Sequence, residues 1–176
     1  MFLATSVTSE PTAVAPDKFR ALMRRFATGV TVVTCAGPDG PEGITVNAFT
    51  PVSLRPPQVL VCLDRGSRTL RTILVAGSFA VNVLGWEQRE LAVRFADTAR
   101  TPAGRFTGIH AAILATGAPV VPDSLAVLDC LLARAWPCGD HVLLVGDVVD
   151  GTAGSADEPL VFYGGGFCSS RVDKED

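Results

Sequence analysis

Leu125-Ala-Val-Leu-Asp-Cys-Leu-Leu-Ala-Arg-Ala-Trp136 and His141-Val-Leu-Leu-Val-Gly-Asp-Val-Val149, separated by Pro137-Cys-Gly-Asp140, decide how this chain folds. Both runs are apolar and rich in residues that suit a pleated surface, and the residues between them favour turns. The arrangement predicts two long antiparallel strands joined as a hairpin. Neither run suits a membrane span, because each is too short and is interrupted by a charge, Asp129 or Asp147.

The same punctuation recurs upstream. Val30–Cys35 is β-branched and strand-like, Ala36-Gly-Pro-Asp-Gly-Pro41 is dense in turn formers, and Gly43–Phe49 reads as the returning strand. Pro56-Pro57 forbids helix locally, so Gln58–Leu63 is another short strand. Phe79–Leu84 follows the same pattern, and Leu160–Tyr163 is the last predicted strand before Gly164-Gly-Gly166 and a charged tail.

Three segments carry helical spacing. Pro16–Ala27 places Phe19, Leu22, Met23, Phe26 and Ala27 on one face, with Asp17 near the start and Gly29 as the stop. Ser67–Ala76 repeats at Leu70, Ile73 and Leu74 and ends at Gly77, and Glu87–Ala96 presents Leu91, Ala92 and Phe95. Thr98–Gly108 is polar, contains Pro102 and Gly104, and reads as a mobile surface loop. Strands outnumber helices and come as hairpins. A mainly β fold with short helices is expected, a closed or nearly closed antiparallel barrel rather than a doubly wound sheet. No repeat or linker divides the chain, so one domain over 16–168 is expected between tails at 1–15 and 169–176.

Composition narrows the function classes. The 176 residues carry a formal charge of −3 and no Lys/Arg run, which argues against nucleic acid as a standing partner. Nearly half the residues are apolar, which excludes disorder for the body of the chain. Met1–Ala15 has neither a basic n-region nor an apolar h-region, so a frayed tail and a cytoplasmic location are expected, with no membrane partner. Of five cysteines none forms a CxxC pair, and Cys35, Cys62 and Cys130 lie in apolar runs where cysteine acts as a small hydrophobe. With only two histidines no metal site is expected.

Three constellations could carry chemistry. In Gly43–Ser53, Thr45 and Asn47 share a strand face near Ser53, and Asn47 offers donors and an acceptor to the polar edge of a planar heterocycle. Small Ala48 lets backbone approach a ring. A half-solvated strand would show the same pattern. Leu63-Asp-Arg-Gly-Ser-Arg-Thr69 joins a buried strand to a helix start. Free N–H groups, Ser67, Thr69, Arg65 and Arg68 could cradle a phosphate, or Ser67 could be only a cap. Gly139-Asp-His141 puts a histidine at a hairpin turn, where it could meet a ligand or simply cap the turn. His110 lacks polar company and reads as structural, and Asp129 needs a partner, for which Arg134 is the candidate. Neither a Walker loop, a GxGxxG fingerprint nor a nucleophile elbow occurs.

An ordered set of motifs spans about Phe19 to Phe167: Phe26-Ala-Thr-Gly-Val-Thr-Val-Val-Thr34, Gly43-Ile-Thr-Val-Asn-Ala-Phe49, Val52-Ser-Leu-Arg-Pro-Pro57, Cys62 to Thr69, Phe79-Ala-Val-Asn-Val-Leu84, Phe95-Ala96, Gly139-Asp-His141 and Gly146-Asp-Val148. In this order they resemble the short-chain flavin reductases, the reductase components of two-component flavin-dependent monooxygenases. The resemblance implies an FMN-binding split β-barrel, Greek-key-like, with exchangeable FMN or FAD at a homodimer interface. It implies that Thr45, Asn47, Ala48 and Ser53 hold the isoalloxazine and ribityl portion. Leu63, Asp64, Arg65, Ser67 and Thr69 would surround the remaining ribityl and phosphate, with Phe95 and Arg105 as further candidates nearby. His141 would stand near the nicotinamide of NADH, with NADPH the alternative; no arginine cluster is evident for a 2′-phosphate. Reduced flavin would pass to a partner monooxygenase. Ala48 stands where serine is more frequent in the family, and Arg65 where lysine is common. A non-catalytic flavin carrier on the same barrel is the competing expectation, and an oxidase resembling the pyridoxamine-phosphate oxidases is a third.

Overall fold

The structure is a computed structural model that describes residues 12–155 and 157–170. Most of the expected N-terminal tail (1–11) and of the C-terminal tail (171–176) lies outside the described residues. In chain order, helix α1 (Pro16–Met23) precedes strands β1 (Thr28–Gly29), β2 (Thr31–Gly37), β3 (Gly40–Val46), β4 (Phe49–Leu54) and β5 (Pro57–Asp64). Helix α2 (Arg68–Ala76) and strand β6 (Ser78–Val83) follow, then a 3-10 turn (Trp86–Gln88) that runs into α3 (Arg89–Ala96). Helix α4 (Pro102–Phe106) and the short strands β7 (Ala112–Ile113) and β8 (Pro119–Val120) lead into the long pair β9 (Ala126–Cys138) and β10 (His141–Ala153). The last strands are β11 (Leu160–Tyr163) and β12 (Gly166–Ser169).

The fold is mainly β, as the hairpin pattern predicts. Seven antiparallel strands form one sheet in the order β3-β2-β6-β9-β10-β5-β4, while β1, β11 and β12 form a second sheet and β7 pairs with β8. The β9–β10 hairpin closes on Gly139 and Asp140, with Gly139 at φ 60°, a value that suits only glycine without strain. Two register shifts, at Val145/Gly146 and Val148/Asp150, bend it.

The chain path forces this sheet to curl. Its edge strands, β3 and β4, are consecutive and are linked only by Asn47 and Ala48. The chain from Val46 to Phe49 reaches at most ~11 Å, whereas the edges of a flat seven-stranded sheet would stand ~29 Å apart. The two edges therefore converge at that corner, where the Cys62 amide donates to the Ala48 carbonyl at 3.0 Å. The ladder itself does not close into a barrel: β3 and β4 are not hydrogen-bonded neighbours.

Inside the curl lie Val33, Cys35, Val61, Leu63, Phe79, Val81 and Leu144, all buried, and α2 caps them with Leu70 and Ile73. Helix α2 keeps its predicted bounds for local reasons. Ser67 Oγ accepts from the Leu70 amide, and Gly77 stops the helix in the left-handed region at φ 71°. A second cluster, with Val30, Val32, Leu84, Phe95 and Leu160, packs beneath α3.

Several expectations are corrected. The first helix ends at Met23 rather than Ala27, and its apolar face is not covered: Phe19, Leu22, Met23 and Phe26 all remain about half exposed or more. The segment read as a surface loop, Thr98–Gly108, contains α4, started by Thr101 Oγ1 accepting from the Gly104 amide, and it delivers a buried Arg105. Asp129 is wholly buried but its partner is Thr116, whose amide donates at 2.7 Å and whose hydroxyl donates to the other oxygen, not Arg134. Arg134 instead lies over the Trp136 ring, 5.7 Å from its centroid. His110, read as structural, lies exposed.

Candidate functional site

The β10–β5 ladder joins two segments that are far apart in sequence. Its register pairs His141 with Asp64 and Val142 with Leu63, so the 139–141 turn and the 64–69 segment share one end of the sheet. Arg65 fastens them: its amide donates to the Asp140 carbonyl at 3.0 Å and its guanidinium to the Gly139 carbonyl at 3.3 Å. His141 is exposed at its strand start, with Nδ1 2.8 Å from Asp140 Oδ1. That hydrogen bond holds the Asp140 carboxyl below its ordinary range.

Beside this junction opens a pocket of about 460 Å³ whose walls include Ile44, Asp64, Gly66, Ser67, Thr69 and Arg105. Helix α2 starts there. The amides of Arg68 and Thr69, in its first turn, have no intrahelical acceptor, which makes this end of the helix attractive to an anion. Part of the cradle is already satisfied by the chain: Asp64 Oδ1 accepts from the Gly66 amide at 2.7 Å, and Ser67 Oγ from Leu70. Arg71 and Arg68 brace the turn, donating to the Gly66 and Arg100 carbonyls, both at 2.9 Å.

Arg105 is the most enclosed charge in the pocket wall, only 3% exposed. Nη1 donates to the Gly43 carbonyl at 2.7 Å, and Nε and Nη2 donate to the Asp97 carbonyl at 3.2 and 2.8 Å. Burial, and after it the Arg68 charge, pulls this guanidinium below its ordinary range, with Glu42 and Asp97 pulling the other way. Glu42 lies between the two arginines, Oε1 3.8 Å from Arg68 Nε and Oε2 4.0 Å from Arg105 Nη1. The sequence reading missed Glu42. A single acidic residue between Pro41 and Gly43 carries no pattern, and only the packing of α2 and α4 on β3 brings the arginines to it.

The other candidates divide by location. Asn47 and Ala48 are exposed on the corner between β3 and β4, and Ser53, on β4, accepts from the Arg55 amide at 3.2 Å. Thr45 uses its hydroxyl internally, donating to the Ala92 carbonyl of α3 at 2.6 Å. Leu63 belongs to the main core and Phe95 to the second, its ring edge-on to Phe106 with centroids 5.1 Å apart. The single chain thus gathers Asp64, Ser67, Thr69 and Arg105 around one pocket, with Arg65 and His141 adjacent. It leaves Asn47, Ala48 and Ser53 on an open edge.

This arrangement can hold an anionic group and orient a ring beside it. Among the described residues no group of three or more His, Cys, Asp or Glu is placed to hold a metal ion, and no helix is long and apolar enough to cross a membrane.

Comparison with known proteins shows the family. Residues 23–171 match the flavin reductase like domain family. An FMN reductase (NADH) from Agrobacterium fabrum is 40% identical over 149 residues, covering 85% of this chain and 83% of the relative. The reductase subunit of a flavin-dependent monooxygenase from Mycobacterium tuberculosis is 34% identical over 163 residues, covering 92% and 86%. Among solved structures, an NADH:FAD oxidoreductase from Streptomyces globisporus superposes with a TM-score of 0.81 at 34% identity, covering 91% of this chain and 98% of that one.

Proposed function

The chain belongs to the flavin reductase like domain family, and we propose that it uses NADH to reduce an exchangeable FMN or FAD, released for a partner monooxygenase. The observation that carries the reading is the His141–Asp64 register, which sets a histidine beside an anion-binding pocket at one end of the sheet. The pocket residues fit a flavin phosphate ester: the Arg68 and Thr69 amides have no intrahelical acceptor, and Thr69 and Arg105, the latter with two N–H groups not used by the chain, line the same volume.

When bound, the flavin ring supplies the acceptor for the nicotinamide hydride. The chain's own residues orient and exclude. Ser67, Thr69 and Arg105 anchor the phosphate, while Asp64 and Arg65 line the path from it towards the β3–β4 corner. Asn47, Ala48 and Ser53 there offer polar groups and close backbone to the ring. His141 positions the nicotinamide, with Asp140 setting its orientation through Nδ1. Orientation of two reactants accounts for a large share of such a barrier without covalent help.

The domain spans 16–168 as a split barrel. A second copy completes it by covering the apolar faces left open on one chain, which include Phe19 and Leu22 of α1, Phe26 just after it, and Val52 and Leu54 of β4. The test is steady-state oxidation of NADH with FMN, FAD or no flavin added. Turnover that depends on added flavin is expected. Tight flavin retention with no NADH or NADPH oxidation would instead make the protein a flavin carrier.

A further inference from the structure

Glu42 is 8% exposed on β3, and its Oε2 accepts no hydrogen bond from any described residue. Its distances to Arg68 and Arg105, 3.8 and 4.0 Å, exceed hydrogen-bond reach. It does not aim Arg105, because the Gly43 and Asp97 carbonyls already fix that guanidinium through three N–H groups. Two of the five N–H donors of Arg105 remain, one on each terminal nitrogen. What Glu42 supplies is charge, placed behind the two cations that border the anion pocket.

We propose that Glu42 is a built-in counter-charge that sets how weakly the pocket holds the phosphate of a flavin, a role that rests on the flavin reading above. Without Glu42, Asp97 is the other carboxylate acting on Arg105, and Asp64, in the pocket wall, already serves the Gly66 amide. A phosphate entering the pocket shares both guanidiniums with a resident carboxylate and is repelled by it, through an interior that screens poorly. The pocket therefore keeps enough donors to select a phosphate but not the full attraction of two unneutralised arginines. A reductase that must give up its product has use for that restraint.

Glu42→Gln removes the charge and keeps the shape. Dissociation constants for FMN, FAD and riboflavin, read by quenching of flavin fluorescence, test the role. Relative to wild type, Glu42→Gln is expected to bind FMN about fivefold to tenfold more tightly and riboflavin, which has no phosphate, unchanged. Glu42→Asp, which keeps the charge, is expected to stay within about twofold of wild type for FMN. Should Glu42→Gln fail to fold, Glu42→Ala drops the same charge and is read in the same way. If wild-type protein binds FMN but the neutral variants bind it equally or more weakly, or gain as much for riboflavin, the counter-charge is overturned while the flavin reading stands. If wild-type protein binds none of the three flavins, both fall.

Discussion

His141 stands directly opposite Asp64 across the β10–β5 ladder, although the two are far apart in the chain. The pairing places the imidazole one strand away from the anion pocket and on the exposed end of its own strand. A side chain in that position can touch a second ligand without touching the phosphate of the first. His141→Ala is therefore expected to raise KM for NADH by about tenfold or more while the FMN dissociation constant changes by less than about twofold. Equal losses in both measurements would assign His141 to the flavin site or to folding.

Asp129, itself wholly buried, holds the 114–118 segment to β9 through the amide and hydroxyl of half-buried Thr116. Removing it strands both donors. Asp129→Ala is expected to lower unfolding free energy by about 2–4 kcal/mol, and Asp129→Asn, which keeps an acceptor, by less. Urea melts read both, and a neutral Ala variant would mean the Thr116 groups find other partners.

Gly43 lies against Phe95 of the second core and holds Arg105 of the pocket wall. A Cβ built there would lie 2.7 and 2.9 Å from Phe95 ring atoms, and the Gly43 carbonyl is an anchor of Arg105. Gly43→Ala is expected to cost about 1–3 kcal/mol and to weaken FMN binding as Arg105 shifts. Gly29→Ala, with nothing within 4 Å of its Cβ, serves as the control and should stay within about 0.5 kcal/mol. Thermal unfolding and FMN titration on the same samples separate the two effects.

Burial pushes the thiols of Cys35 and Cys130 from the ordinary 9.0 up to about 12, with Glu42 adding to the first and Asp129 and Asp147 to the second. In the unfolded chain both ionise near their ordinary value. Their contribution to stability is thus fully present below pH 9 and is lost as pH rises from there towards 12. Urea midpoints should fall across that window. In the native protein at about pH 8, iodoacetamide should modify exposed Cys138 while Cys35 and Cys130 stay unlabelled, their thiolate fraction being about one in ten thousand. Early labelling of either buried thiol would show that the core opens locally.

Legibility in the sequence followed the range of the interactions. Helix α2 could be read to within a residue because its two ends act locally, Ser67 through its hydroxyl and Gly77 through its left-handed backbone. The β9–β10 hairpin could be read from turn chemistry alone. The sequence pattern ends the strands at Gly164-Gly-Gly166, whereas Gly164 and Gly165, at φ 67° and 95°, make the turn back into β12. Arg105 was named through the family resemblance, but its depth was hidden in a polar stretch, since it depends on carbonyls of Gly43 and Asp97. The partner of Asp129 was misassigned for a similar reason: the segment that carries Thr116 packs from a distance that strand alternation does not encode. That His141 and Glu42 come to lie next to the pocket is a matter of register and layer, which local sequence does not encode.

The two-residue corner at Asn47 and Ala48 has a consequence for how the sheet comes apart. In hydrogen bonding the sheet has two edges, but along the chain those edges are consecutive, so fraying one pulls on the other. Amide exchange in β3 and β4 should therefore rise and fall together, although the whole sheet lies between them. Cutting the chain between residues 47 and 48 to make a circular permutant would release both borders at once, and with them the polar rim on which the proposed ring site depends.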